Sequence, residues 1–104
     1  MKKVIDRKIY NTETATEIHH YWNGRGTSDF GNVSEWLYRA PKGAYFLHGK
    51  GGPMTQYGVP VGNNGRGGGE DIVLMTKGEA IEWLSAHDGE EAIEEHFGDM
   101  IEEG

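Results

Sequence analysis

Hydrophobic and polar positions alternate in short stretches over the first three quarters of the chain, then change to a helical period. Residues 3–10 (KVIDRKIY) alternate loosely and read as one strand. Residues 15–22 (ATEIHHYW) read as a second strand, since β-branched and aromatic side chains suit a pleated surface better than a helix. The polar break at 11–14 separates them, and Asn23-Gly24 signals a turn after the second. Residues 34–39 (SEWLYR) and 44–48 (AYFLH) read as strands three and four. Between them Pro41 presets its φ and Gly43 tolerates a positive one, so this hairpin has a mechanism. Residues 71–75 (DIVLM) supply a fifth strand. Residues 49–69 hold nine glycines and read as a long loop, functional or mobile, with at most a short extended piece near 57–61.

After residue 75 the period lengthens. Thr76 and Glu79 have the spacing of a capping box, in which the hydroxyl and the carboxylate each accept from a backbone N–H of the first turn. Ala80, Ile81, Trp83, Leu84 and His87 then form an apolar stripe. Asp88 and Glu91 offer a second box, and Ala92, Ile93, Phe97, Met100 and Ile101 a second stripe. The expected fold class is α+β: an antiparallel sheet of four to five strands followed by two C-terminal helices, in one small domain over 1–104. Its β-rich part spans 1–75 and its acidic helical part 76–104. The expected core is Leu37, Phe46, Leu47, Ile72, Leu74, Ile81, Trp83, Leu84, Ile93 and Phe97, with Trp36 also favoured as a core residue.

Composition narrows the classes. Only 36% of the residues are hydrophobic, so the aromatics must carry much of the burial. No apolar run is long enough to cross a bilayer, and residues 1–6 show no apolar signal region. Without cysteine there is no disulfide framework and no thiol nucleophile. A cytosolic protein is the expectation.

Charge changes the picture most. Residues 1–69 hold nine Lys and Arg against five Asp and Glu, a net +4. Residues 70–104 hold one Lys against twelve acids, a net −11. Such division points to partner electrostatics, because an acidic surface repels phosphate backbones and attracts basic grooves. The candidate partner-binding residues are Glu82, Glu90, Glu91, Glu94, Glu95, Asp99, Glu102 and Glu103. An acidic helix face also serves plain solubility.

Other chemistry is thinner. The run GNNGRGGG at 62–69 lacks the Gly-Lys-Ser/Thr ending of a phosphate loop and leads into a strand. His19 and His20 are adjacent, and His87 and His96 fall on different helices, so no metal is expected, nor any cofactor. His48 with Glu70 or Asp71 is the one arrangement that suggests a hydrolase. Nucleic-acid binding is the rival reading. Arg25, Arg39, Lys42, Lys50 and Arg66 interleave with Tyr21, Trp22, Trp36, Tyr38, Tyr45 and Tyr57, which offer stacking surfaces.

Residues 10–15 (YNTETA), 28–30 (SDF), 34–38 (SEWLY), 42–49 (KGAYFLHG) and 51–54 (GGPM) resemble a family of small proteins of phages and other mobile elements of bacteria. Residues 68–73 (GGEDIV) and 79–83 (EAIEW) extend the resemblance, which covers about 3–87. The family looks similar to some anti-CRISPR inhibitors. What the resemblance implies is a non-enzymatic inhibitor of a host defence system, its partner a CRISPR effector nuclease or complex. Such effectors hold nucleic acid in positively charged channels. The alternative expectation is a nucleic-acid-binding accessory protein using the basic, aromatic β portion.

Overall fold

The computed structural model of the protein describes residues 1–26 and 28–100. The expectations placed on Ile101, Glu102 and Glu103 lie outside the described residues.

The first stretch is two strands rather than one. β1 (Lys2–Ile5) and β2 (Lys8–Asn11) form a hairpin in which Val4 faces Ile9 across the ladder. Asp6 and Arg7 make the turn with φ of 50° and 67°. Positive φ at both central residues gives a turn whose twist matches that of the flanking strands. The sequence lacks the Asn-Gly or Asp-Gly pair that normally announces it, so the break was invisible to pattern reading.

β3 (Thr16–Trp22), β4 (Val33–Arg39), β5 (Tyr45–Gly51) and, after two shorter strands, the last strand at Gly69–Met75 build one antiparallel sheet. The β4–β5 connection is the expected hairpin: the Ala40 N–H donates to Ala44 O at 2.7 Å and Gly43 has φ 101°. The shorter strands, β6 (Val59–Val61) and β7 (Gly65–Gly67), form a small ribbon. The last strand is therefore β8, beside β5 in the order β3-β4-β5-β8.

The glycine-rich segment is thus not the loop the composition suggested. Gly49 and Gly51 lie inside β5, and Gly69 opens β8. A Cβ on Gly51 would come within 2.8 Å of Asn32 O, and one on Gly68 within 3.0 Å of Gly51 O. These glycines allow backbone to pack on backbone, which fixes the segment instead of freeing it.

α1 (Lys77–Ala86) begins with the expected capping box: the Glu79 N–H donates to Thr76 Oγ1 at 3.1 Å and the Thr76 N–H to Glu79 Oε1 at 2.8 Å. α2 (Glu90–Phe97) has no second box; Gly89 precedes it with no side-chain cap. Asp88 instead ends α1. It sits in the left-handed region at φ 59°, and the Gly89 N–H returns to Leu84 O at 2.8 Å, the closure of a Schellman motif. A short 3₁₀ turn follows at Gly98–Met100.

Both helices contribute to a core on one face of the sheet, where Leu37, Tyr45 and Leu47 meet Ala80, Trp83, Leu84, Ala92, Ile93 and Phe97. On the other face Phe46 and Ile72 are sealed by Tyr10 of β2, whose ring stands edge-on to Phe46 at 5.7 Å. The result is hairpin, sheet and helices in three layers. Leu74 and Ile81, expected in the core, are only half-buried, while Tyr10, Tyr45 and Tyr57 join it. Trp36 is also half-buried, since its register places it on the hairpin side of the sheet beyond the reach of β1 and β2. No helix among the described residues is long and apolar enough to cross a membrane.

Candidate functional site

The helical layer has one charged side. Ala80, Trp83 and Leu84 of α1 and Ala92, Ile93 and Phe97 of α2 turn to the sheet, so the periodicity that buries them exposes their neighbours. Glu82, Glu90, Glu91, Glu94, Glu95 and Asp99 are all exposed. Among the described residues none of these six pairs with a Lys or Arg; Glu95 alone has an ion-pair neighbour, His96 at 3.8 Å on its own helix. The acids form an uncompensated field rather than a network. Glu90 and Glu91 also lie in the first turn of α2, where the helix dipole favours negative charge.

Beside that apolar core, a buried carboxylate that pattern reading missed ties the layer to the sheet. Glu35 on β4 is 5% exposed. The Trp83 indole Nε1–H donates to its Oε1 at 3.1 Å, linking α1 to the sheet. Its Oε2 accepts from the Tyr57 hydroxyl and from Gln56 Nε2 at 3.4 Å. His87 Nε2 stands 4.0 Å from Oε1, and its ring packs on Tyr21 at 4.2 Å and Trp83 at 4.7 Å. A carboxylate removed from water is costly unless such donors surround it. Burial, followed by the hydrogen bond to Glu35, pushes the Tyr57 hydroxyl far above the ordinary tyrosine range. The sequence signal was only an acidic residue next to Trp36, Leu37 and Tyr38 in β4.

The hydrolase arrangement divides. His48 Nε2 lies 2.9 Å from Glu70 Oε2, as the sequence suggested. Asp71 alternates to the opposite side of β8 and instead accepts from Lys3 Nζ at 2.5 Å. That hydrogen bond holds the Asp71 carboxyl below the usual carboxylate range, against partial burial, with help from the Ile72 N–H. His48 is one end of a ring row: His20 stacks on Trp36 at 4.6 Å and Trp36 on His48 at 5.1 Å.

The same packing bears on base stacking. Of the six aromatics named for it, Tyr45 and Tyr57 are buried, Tyr38 stacks on Phe46, Tyr21 packs on His87, and Trp36 lies between two histidines. Trp22 alone of the six is exposed. Comparisons with protein-family models, with curated proteins and with solved structures find no match to this chain.

Proposed function

We propose that the chain is a non-enzymatic inhibitor that docks its acidic helical layer onto a basic, nucleic-acid-holding surface of a host defence protein. The partner class is a CRISPR effector, as the sequence resemblance implies. The observation that carries the reading is the outward side of α1, α2 and the 3₁₀ turn after them, where six described carboxylates stand exposed without a Lys or Arg partner among the described residues. A rigid body bearing such a field competes with a nucleic-acid backbone for a positively charged channel. The Glu35 anchor supports this, because it holds the charged layer in one orientation on the sheet. The occupied ring faces of Tyr21, Trp36 and Tyr38 favour this reading over direct base stacking by the β portion. The test is capture of partners from a bacterial host lysate on the immobilised protein, then a nuclease assay on the captured effector. Inhibition relieved by excess target nucleic acid agrees with occupancy of the channel. A captured effector whose cleavage is unaffected at saturating protein contradicts it.

A further inference from the structure

Two loops at one end of the sheet, residues 28–32 with Asn23 and residues 52–58, are hydrogen-bonded to one another yet hold their largest apolar side chains in solvent. Asn23 closes the first loop: its Nδ2 donates to Gly31 O at 2.8 Å and its Oδ1 accepts from the Val33 N–H at 3.2 Å. The second loop is bonded to the first, Gly52 N–H to Asn32 O at 2.9 Å and Met54 N–H to Phe30 O at 2.8 Å. A Cβ on Gly52 would meet Phe30 O at 2.5 Å, so only glycine permits this approach. Phe30 is nevertheless 67% exposed, Met54 75% and Trp22, at the root of the first loop, 56%. Scattered apolar residues on a surface are ordinary. Phe30 and Met54 on adjoining loops, with Trp22 at the end of β3, stand on backbone that is already hydrogen-bonded, so a partner binding there would have only side chains left to order.

Beside them runs a groove of about 580 Å³. Its floor is the backbone of Gly51, Gly52, Gly68 and Gly69, with Phe30 and Pro53 among its walls. Lys50 and Glu70, partners in the β5–β8 register, line it too. Glu70 is engaged by His48 and Asp29 by Arg25. The Lys50 ammonium has no ion pair or hydrogen bond among the described residues. By the alternation of β5, Lys50 shares the sheet side of Phe46 and His48, away from the helices.

We propose that this groove docks an extended segment of a partner protein, with an apolar side chain against Phe30 and Pro53 and a carboxylate of the same segment on Lys50. A floor without side chains lets a second backbone approach closely, and the unpaired cation selects an acidic residue beside the apolar one. The surface is separate from the acidic helical layer and does not depend on it.

The experiment pans a phage-displayed random dodecapeptide library against the full chain and measures selected, fluorescein-labelled peptides by anisotropy. Enriched peptides are expected to carry an apolar residue with Asp or Glu close by. Phe30→Ala and Lys50→Glu should each weaken them by about 10-fold or more, while Lys50→Arg retains binding. Reversing Glu90 and Glu94 on the helical layer should leave them unchanged. Circular dichroism checks folding of each variant, and Met54→Ala, exposed but outside the groove lining, should leave binding unchanged. Peptides without an acidic residue, or no enrichment over a Phe30→Ala/Lys50→Glu bait, would overturn the proposal.

Discussion

The Tyr57 hydroxyl donates to Glu35 Oε2 across the position where Gly49 has no side chain. A Cβ on Gly49 would overlap the Tyr57 ring and its oxygen. Gly49 pairs directly with Glu35 in the β4–β5 register, so the missing side chain opens the path from the loop to the carboxylate. One glycine, one tyrosine and one glutamate therefore couple the glycine-rich segment to the sheet, and Trp83 couples the sheet to α1.

Tyr57→Phe should cost about 1.5–3 kcal/mol, the usual range for a hydrogen bond to a charged group. Gly49→Ala should cost at least as much, because it expels the ring as well as the hydroxyl. Urea unfolding of the two variants beside the wild type measures both. A loss under about 0.5 kcal/mol for Tyr57→Phe would mean that Glu35 does not depend on it.

Asp88→Gly distinguishes two roles for Asp88. As a cap of α2, its loss would destabilise by a few tenths of a kcal/mol or more. As the left-handed residue that closes α1, its replacement by glycine should stabilise by about 0.5–1 kcal/mol. The expected result is a rise in the thermal midpoint, and a fall would restore the capping role.

The contrast at Asp88 shows where pattern reading succeeds and fails. The hairpin at residues 40–44, the capping box at Thr76 and the inward positions of α1 and α2 up to Phe97 were legible because local chemistry alone determines them, whereas Met100, expected in the second stripe, lies past α2 in the 3₁₀ turn and is exposed. The exposure of the helical acids followed from the same periodicity. The split at Asp6 and Arg7 was not legible, since both central residues of the turn are non-glycine residues with positive φ. Glu35 was not legible either. Its partners lie 21, 22 and 48 residues away, and no spacing encodes such contacts.

Acid should weaken the seam between the hairpin and β8. The Asp71 carboxyl is depressed chiefly by its hydrogen bond from Lys3. A depressed folded value contributes stability above the unfolded value of 3.8, lost as pH falls through the lower folded one. Asp71→Asn should therefore be less stable than the wild type near neutrality, and the gap should close as pH falls below 3.8 through the lower folded value. The gap should be small, because both side chains are partly exposed and water screens the pair. A gap of constant size from neutrality to pH 2 would contradict the assignment.

Alkali tests the buried end. The raised Tyr57 value favours the neutral phenol in the fold, so its contribution is full below the unfolded value of 10.0 and is lost as pH rises through the higher folded one. Absorbance titration at alkaline pH should show one tyrosine ionising only as the protein unfolds. Tyr57→Phe should remove that late step; its persistence would assign the step elsewhere.

The central claim is that the helical acids act as one field on a basic partner surface, and association kinetics test it most directly. Glu90, Glu91, Glu94 and Glu95 are changed together to Lys, and binding to the captured partner is followed at low and physiological salt. Exposed charges are screened over about 8–10 Å at physiological salt, so single reversals should do little. The quadruple variant should associate about 10-fold or more slowly, with a smaller change in dissociation, and wild-type association should slow as salt rises. Circular dichroism should show a folded variant, because all four positions are exposed, although reversing Glu90 and Glu91 opposes the dipole at the start of α2 and should cost about 0.3–1 kcal/mol each. A folded quadruple variant that binds with unaltered association rate and affinity would contradict the account.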